Sequence, residues 1–172
     1  MNAKVTLSSE QRRALLTHPA GWIACGFGSG LAPRAQGTLG SLVAIIPWWF
    51  LWRDLGAPAY GLMLVLAFAL GVWACGESGR RIAFSDHRAL VWDEFVGQWI
   101  TLWPAVFAPW WAIVAGFVLF RLFDVAKPWP VGWLDKHVKG GAGVMLDDVA
   151  AGIVGGVVLV VILYFTGHLQ AA

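Results

Sequence analysis

"FVGQWITLWPAVFAPWWAIVAGFVLF", residues 95–120, runs for 26 positions without an Asp, Glu, Lys or Arg. One membrane crossing needs only about 20 apolar residues. Pro104 and Pro109 interrupt the run, and a proline inside a helix removes an amide donor and breaks or kinks it. The stretch is therefore either one broken crossing or a hairpin that folds back between the two prolines. Charge decides between them. Three other uncharged stretches, Ala35–Trp52, Leu55–Gly76 and Val149–Ala172, flank it. With a single crossing, the 12 Lys and Arg divide seven against five. With a hairpin they divide eleven against one, Arg53 standing alone. Basic residues concentrate on the cytoplasmic side of membrane proteins, so the hairpin is the expected form. Its first arm, Phe95–Trp103, measures only about 14 Å at the helical rise. The pair is expected to enter the bilayer partway, sheltered by the other spans.

Composition supports this class. Of the 172 residues, 59% are hydrophobic and 13% charged, about half the charged share of a soluble domain. Mean hydropathy is +0.68. Trp48, Trp49 and Trp52 end the first stretch, and Trp103, Trp110 and Trp111 flank the proposed turn, as interfacial tryptophans do. Apolar segments in lipid must satisfy their own backbone groups, and no barrel-type alternation occurs. Residues 1–20 lack the apolar core of a cleavable signal peptide. Ser8–Thr17 is predicted to be a short surface helix capped by Ser8 or Ser9. The expected fold is all-α: a polytopic helical membrane protein of about three spans, a re-entrant or short helical hairpin and an interfacial N-terminal helix, forming a single domain over residues 1–172. No basic run is dense enough for nucleic-acid binding.

The chemistry-bearing residues gather at the boundaries of these stretches. Asp93 and Glu94 open the third, Asp124 follows it, and Asp147 and Asp148 are expected to open the last. Helix capping accounts for one acid per N-terminus, but poorly for doublets, and not for Asp124 near a helix C-terminus. A hard-cation site accounts for all five, because Mg²⁺ takes carboxylate oxygens together with water and phosphate oxygens. Which member of each doublet binds the metal stays open. Arg121, three residues before Asp124, can grip phosphate as a planar fork or pair with Asp124. Lys127 follows it.

The loop "GFGSGLAPRAQGTLGS", residues 26–41, offers Gly28, Gly30, Thr38 and Ser41 to an anion near a helix N-terminus. It is neither a Walker A loop nor a dinucleotide fingerprint. "CGESGRR" spaces Cys75 and Arg81 as a cysteine phosphatase would, but Cys75 ends an apolar helical run where such enzymes need a strand and loop. His87 is either a proton carrier or a solvated loop residue.

In their order, "GFGSGLAPRAQGTLGS", "VWDEFVGQWI", "FRLFDVAKPWP" and "GGAGVMLDDVAAG" resemble the phosphatidylglycerophosphatase A family over roughly residues 20–165. The resemblance implies an enzyme of the bacterial cytoplasmic membrane: a Mg²⁺-dependent phosphatase acting on an anionic phospholipid, phosphatidylglycerophosphate, to give phosphatidylglycerol. It implies a metal site on Asp93, Glu94, Asp124, Asp147 and Asp148. Gln36 stands where the family tends to have proline. The active site is expected on the cytoplasmic face. Water is the expected nucleophile, since no D-x-D signature of aspartyl-phosphatases is present. Two alternatives are a small cation-binding transporter, whose acids would lie near the bilayer midplane, and a phosphatase using Cys75.

Overall fold

The computed structural model describes residues 7–84, 87–129, 131–138 and 140–169. Lys4 and Lys139 of the basic set lie outside them. The described residues are helical, with no strand. The helices are α1 (Ser9–Leu16), α2 (Pro19–Ala24), α3 (Gln36–Pro47), α4 (Ala57–Ile82), α5 (Trp92–Leu102), α6 (Trp110–Ala126), α7 (Val131–His137) and α8 (Gly140–Phe165). Two of them, α4 and α8 from Gly141, are long and apolar enough to cross a membrane.

The N-terminal helix forms as its sequence predicts. Ser8 Oγ accepts from the Gln11 N–H at 3.1 Å, and the Ser8 N–H donates back to Gln11 Oε1 at 2.9 Å, a reciprocal cap that satisfies two orphan donors. Gln11 Nε2 also donates to the Ile82 carbonyl at 2.8 Å, tying α1 to the end of α4. Helix α3 tolerates Pro47 because the chain widens there into a π-turn, Trp48–Trp52, closed by the Arg53 N–H on the Trp48 carbonyl.

The stretch 95–120 does fold back. Helix α5 ends in a short 3₁₀ turn, Trp103–Ala105, and α6 returns from Trp110. At the tip Trp103 stacks on Tyr60, in the first turn of α4, with ring centroids 5.2 Å apart. Tyr60 also accepts from Trp48 Nε1 and donates to the Trp99 carbonyl. At the other end of α5, Trp92 Nε1 donates to the Ala67 carbonyl. So α5 spans the height of α4 from Tyr60 to Ala67. Helix α4 runs on for four more turns, about 22 Å, and carries Glu77, Arg80 and Arg81 beyond it.

Helix α5 is enclosed on nearly every side. Its contact with α8 is a backbone approach through small residues. A Cβ on Gly152 would sit 2.5 Å from the Gly97 carbonyl oxygen, and one on Gly97 would sit 2.7 Å from that of Asp148. Thr101 Oγ1 shares its proton between the Gly97 and Gly152 carbonyls at 3.0 and 3.1 Å. Close packing of this kind replaces hydrophobic driving force where the surroundings are apolar. It also brings α8's acids beside the start of α5.

One expectation is corrected. Asp147 and Asp148 do not open the last helix: α8 begins at Gly140, two turns earlier. Gly141 permits this, since a Cβ there would lie 2.3 Å from the Val72 carbonyl of α4. The doublet is therefore not an N-terminal cap.

Candidate active site

The start of α3, the start of α5, the last turns of α6 and the second and third turns of α8 converge. Carboxylate oxygens of Asp93, Glu94 and Asp148 all lie within 4.8 Å of one another. Asp93 Oδ1 accepts the Glu94 N–H at 3.0 Å, an N-terminal contact. Asp124 lies within hydrogen-bonding reach of Asp148. Its place near a helix C-terminus is made tolerable by Arg121, whose Nη1 is 2.6 Å from Asp124 Oδ2. Asp147 takes a different partner: Lys127 Nζ is 2.8 Å from its Oδ2. The five acids thus form a core of three, a fourth neutralised at its edge by Arg121, and a fifth held by Lys127.

Burial makes this core electrostatically costly. Asp148 is only 4% exposed. Burial pushes the Glu94 carboxyl up to about 8, and the charges of Asp148 and Asp124 push the same way. Asp93 is raised for the same first reason, with Glu94 adding to it. Glu94 Oε2 and Asp148 Oδ2 are buried without a hydrogen-bond partner. Like charges packed together out of water need a cation or protons. Three oxygen donors at this spacing fit a hard divalent cation.

Beside the acids the backbone of α3 comes close. A Cβ on Gly37, the second residue of α3, would lie 2.3 Å from Glu94 Oε1 and 3.2 Å from both Nη atoms of Arg121. No side chain caps α3; Ala35 before it has a left-handed backbone. The uncapped first turn of α3, the Arg121 guanidinium and the acid core thus stand side by side. Gln36 takes the first helical position and folds its side chain back, Nε2 donating to the Ala32 carbonyl at 2.9 Å.

The glycine-loop residues separate into different roles. Ser41 is fully buried. Its hydroxyl donates to the Gly37 carbonyl and faces Arg121 Nη1 at 3.5 Å, so it braces the site from behind. Thr38 is exposed in the first turn of α3. Gly30 is a packing residue, because a Cβ there would meet the Ala89 carbonyl oxygen at 2.1 Å. Gly28 has φ +99° and open space beside it, so it serves the turn. Two residues were not singled out from the sequence: Gly37 and Gln98. Gln98 lies one helical turn beyond Glu94 on the same face, fully buried, with neither amide atom hydrogen-bonded. A glutamine inside an otherwise apolar run was the available signal.

The cysteine alternative loses its geometry. Cys75 and Arg81 lie on one continuous helix, α4, where a spacing of six residues turns the side chains about 120° apart. Arg81 Nε instead meets Glu77 at 2.8 Å. His87 is not a solvated residue: it is buried, and its Nδ1 accepts the Ala89 N–H at 3.1 Å.

Comparison with known proteins covers the segment that holds these residues. A sequence profile described as phosphatidylglycerophosphatase A matches residues 22–163. A protein of Escherichia coli named phosphatidylglycerophosphatase A is 44% identical over 156 residues, 91% of this chain and 88% of its own. One of the same name from Haemophilus influenzae is 37% identical over 161 residues, 94% of this chain and 99% of its own. A Bacteroides thetaiotaomicron protein with the provisional name phosphatidylinositol-3-phosphatase is 37% identical over 155 residues, 84% of this chain and 94% of its own. No solved structure matches the chain.

Proposed function

Because the chain belongs to the phosphatidylglycerophosphatase A family, we propose that it removes the terminal phosphate of phosphatidylglycerophosphate, leaving phosphatidylglycerol, with Mg²⁺ as cofactor. The observation that carries the reading is the triple approach of Asp93, Glu94 and Asp148 within 4.8 Å, beside an arginine and an uncapped helix start. Those three acids are the proposed metal ligands, with Asp124 at their edge. When bound, the ion would polarise a phosphoryl oxygen and acidify a water.

The chain's own groups do the rest. Arg121 keeps a charge on the open side of Asp124, where it meets the phosphoryl oxygens as charge develops on them. The amides of Gly37 and Thr38 donate from the first turn of α3, and the missing side chain at Gly37 lets Glu94 and Arg121 sit against that turn. Lys127 neutralises Asp147, so that acid does not repel the anionic substrate. Asp147 therefore orients Lys127 and is not itself a metal ligand in this scheme. Burial of the acids limits access of bulk water to the reacting phosphorus.

The membrane arrangement is part of the proposal. Residues 1–172 act as one domain in the bacterial cytoplasmic membrane. Helix α3 with its π-turn, α4 and α8 cross it, α5 and α6 form the hairpin, and α1 lies at the interface. Residues such as Val65 on α4, Val118 on α6 and Val157 on α8 are more than half exposed, apolar surface that suits lipid contact. Arg121 and the uncapped start of α3 beside the acids suit a phosphate group better than the bare cation path of a transporter.

Phosphate release from phosphatidylglycerophosphate by the purified, detergent-solubilised protein tests the reading. Release should require Mg²⁺, stop on chelation and resume on re-addition. A folded protein that releases no phosphate with Mg²⁺ present would refute it.

A further inference from the structure

A second, cationic cavity adjoins the acid site, and nothing in the mechanism above uses it. It measures about 170 Å³ and lies between α1, the glycine loop and the segment before α5. Arg12, Arg88, His87 and Gln36 line it. Arg12 donates to the Leu31 carbonyl at 3.4 Å with one Nη, which holds the guanidinium over the loop. Among the described residues no acidic side chain lines this cavity. Two arginines on one small hollow offer paired planar forks to an anion.

Its position is informative. Gln36 lines this cavity, while its neighbour Gly37 faces Glu94 and Arg121. Consecutive α-carbons are only about 3.8 Å apart. The cavity and the acid cluster thus lie on either side of the first turn of α3. A ligand filling both would carry two anionic groups on a short bridge.

Resting on the proposed reaction, we infer that this cavity holds the phosphodiester of the substrate while its terminal phosphomonoester sits at the acid site. Phosphatidylglycerophosphate carries both groups, one on each end of a glycerol. The diester is not broken; its charge is gripped by Arg12 and Arg88, which fixes how far the monoester reaches past Gly37 toward Asp93, Glu94 and Asp148. Binding energy at a remote, unreacting group is then used to orient the reacting one. A lipid whose only phosphate is a monoester would leave the cavity empty and be poorly placed.

The test uses glycerophosphoglycerol, the deacylated headgroup, which has a diester but no monoester and no acyl chains. Assays run on the whole protein in uncharged detergent micelles, so that no anionic lipid surface contributes. Glycerophosphoglycerol should inhibit the wild type competitively. In Arg12→Ala/Arg88→Ala the inhibition constant and the KM for phosphatidylglycerophosphate should both rise at least about tenfold. Inhibition by inorganic phosphate, which reports on the acid site, should shift far less. Arg13→Ala, the neighbouring exposed arginine outside the cavity, should behave as wild type. Arg12→Gln/Arg88→Gln serves if the Ala pair fails to fold.

The inference is overturned if glycerophosphoglycerol does not inhibit the wild type, or inhibits both proteins equally. It is also overturned if the KM effect appears only with anionic carrier lipid, which would make Arg12 and Arg88 contacts for bulk headgroups. An inactive wild type would instead sink the proposed reaction itself, a result separate from any of these.

Discussion

Lys127 Nζ lies 2.8 Å from Asp147 Oδ2, while the neighbouring Asp148 turns its carboxylate into the cluster with Asp93 and Glu94. Adjacent residues on a helix point about 100° apart. Two identical side chains therefore meet two different environments, and the doublet divides its work. Asp148→Asn should lower turnover by at least about a hundredfold, the order seen when a main electrostatic contributor is removed. Asp147→Asn should act through Lys127, raising KM more than it lowers kcat. Equal collapse of kcat in both folded variants would contradict the division.

Gly37 offers a test of shape without a change of charge. An added methyl would sit 2.3 Å from Glu94 Oε1, so Glu94 must leave its place. Gly37→Ala should reduce kcat/KM at least about tenfold, or about 1.4 kcal/mol in the barrier, and weaken activation by Mg²⁺. The control is Gly61→Ala, where the nearest atom to the new methyl is 3.6 Å away. It should keep full activity, and the helix should gain slightly in stability. Wild-type kinetics in Gly37→Ala would show that Glu94 is not a fixed member of the site.

The thiol of Cys75 is fully buried inside α4. Cys75→Ser should keep activity within a few-fold, about 1 kcal/mol or less in the barrier. Cys25 is likewise buried, and burial pushes its thiol up to about 12, far from a reactive thiolate. Loss of several orders of magnitude in a folded Cys75→Ser, with indifference to chelator, would restore the cysteine reading.

Topology is open to labelling. With Cys25 and Cys75 replaced, single cysteines at the exposed Arg88 and His137 should react from the cytoplasmic side. One at the exposed Asp54 should react from the opposite side. Arg88 and His137 on different sides would separate the acidic motifs and refute the hairpin.

How much of this was legible in the sequence varies with the physics involved. The fold-back at 95–120 follows from two prolines and a charge count, because backbone chemistry and the membrane field both act locally. The Ser8 cap follows from a short-range hydrogen bond. Where the hairpin packs along α4 does not follow. It depends on where Trp103 meets Tyr60 and Trp92 meets Ala67, contacts between distant segments. The start of α8 was misplaced because the glycines at 140–143 lower helix propensity but allow the close approach to α4 that offsets it. The acids of the site were legible as a set; their partition between metal, Arg121 and Lys127 was not. Gly37 escaped notice among many glycines because its meaning lies in what faces it across the bundle.

The central claim is that Asp93, Glu94 and Asp148 together hold a divalent cation. Titration of the purified protein with Mn²⁺, followed by loss of the free-ion paramagnetic resonance signal, measures this without relying on turnover. The wild type should bind Mn²⁺ and release it to excess Mg²⁺. Asp93→Asn and Asp148→Asn should each weaken binding at least about tenfold, while Cys75→Ser leaves it intact. Unaltered Mn²⁺ affinity in both Asn variants, or no binding by a wild type that still releases phosphate in chelator, would contradict the account.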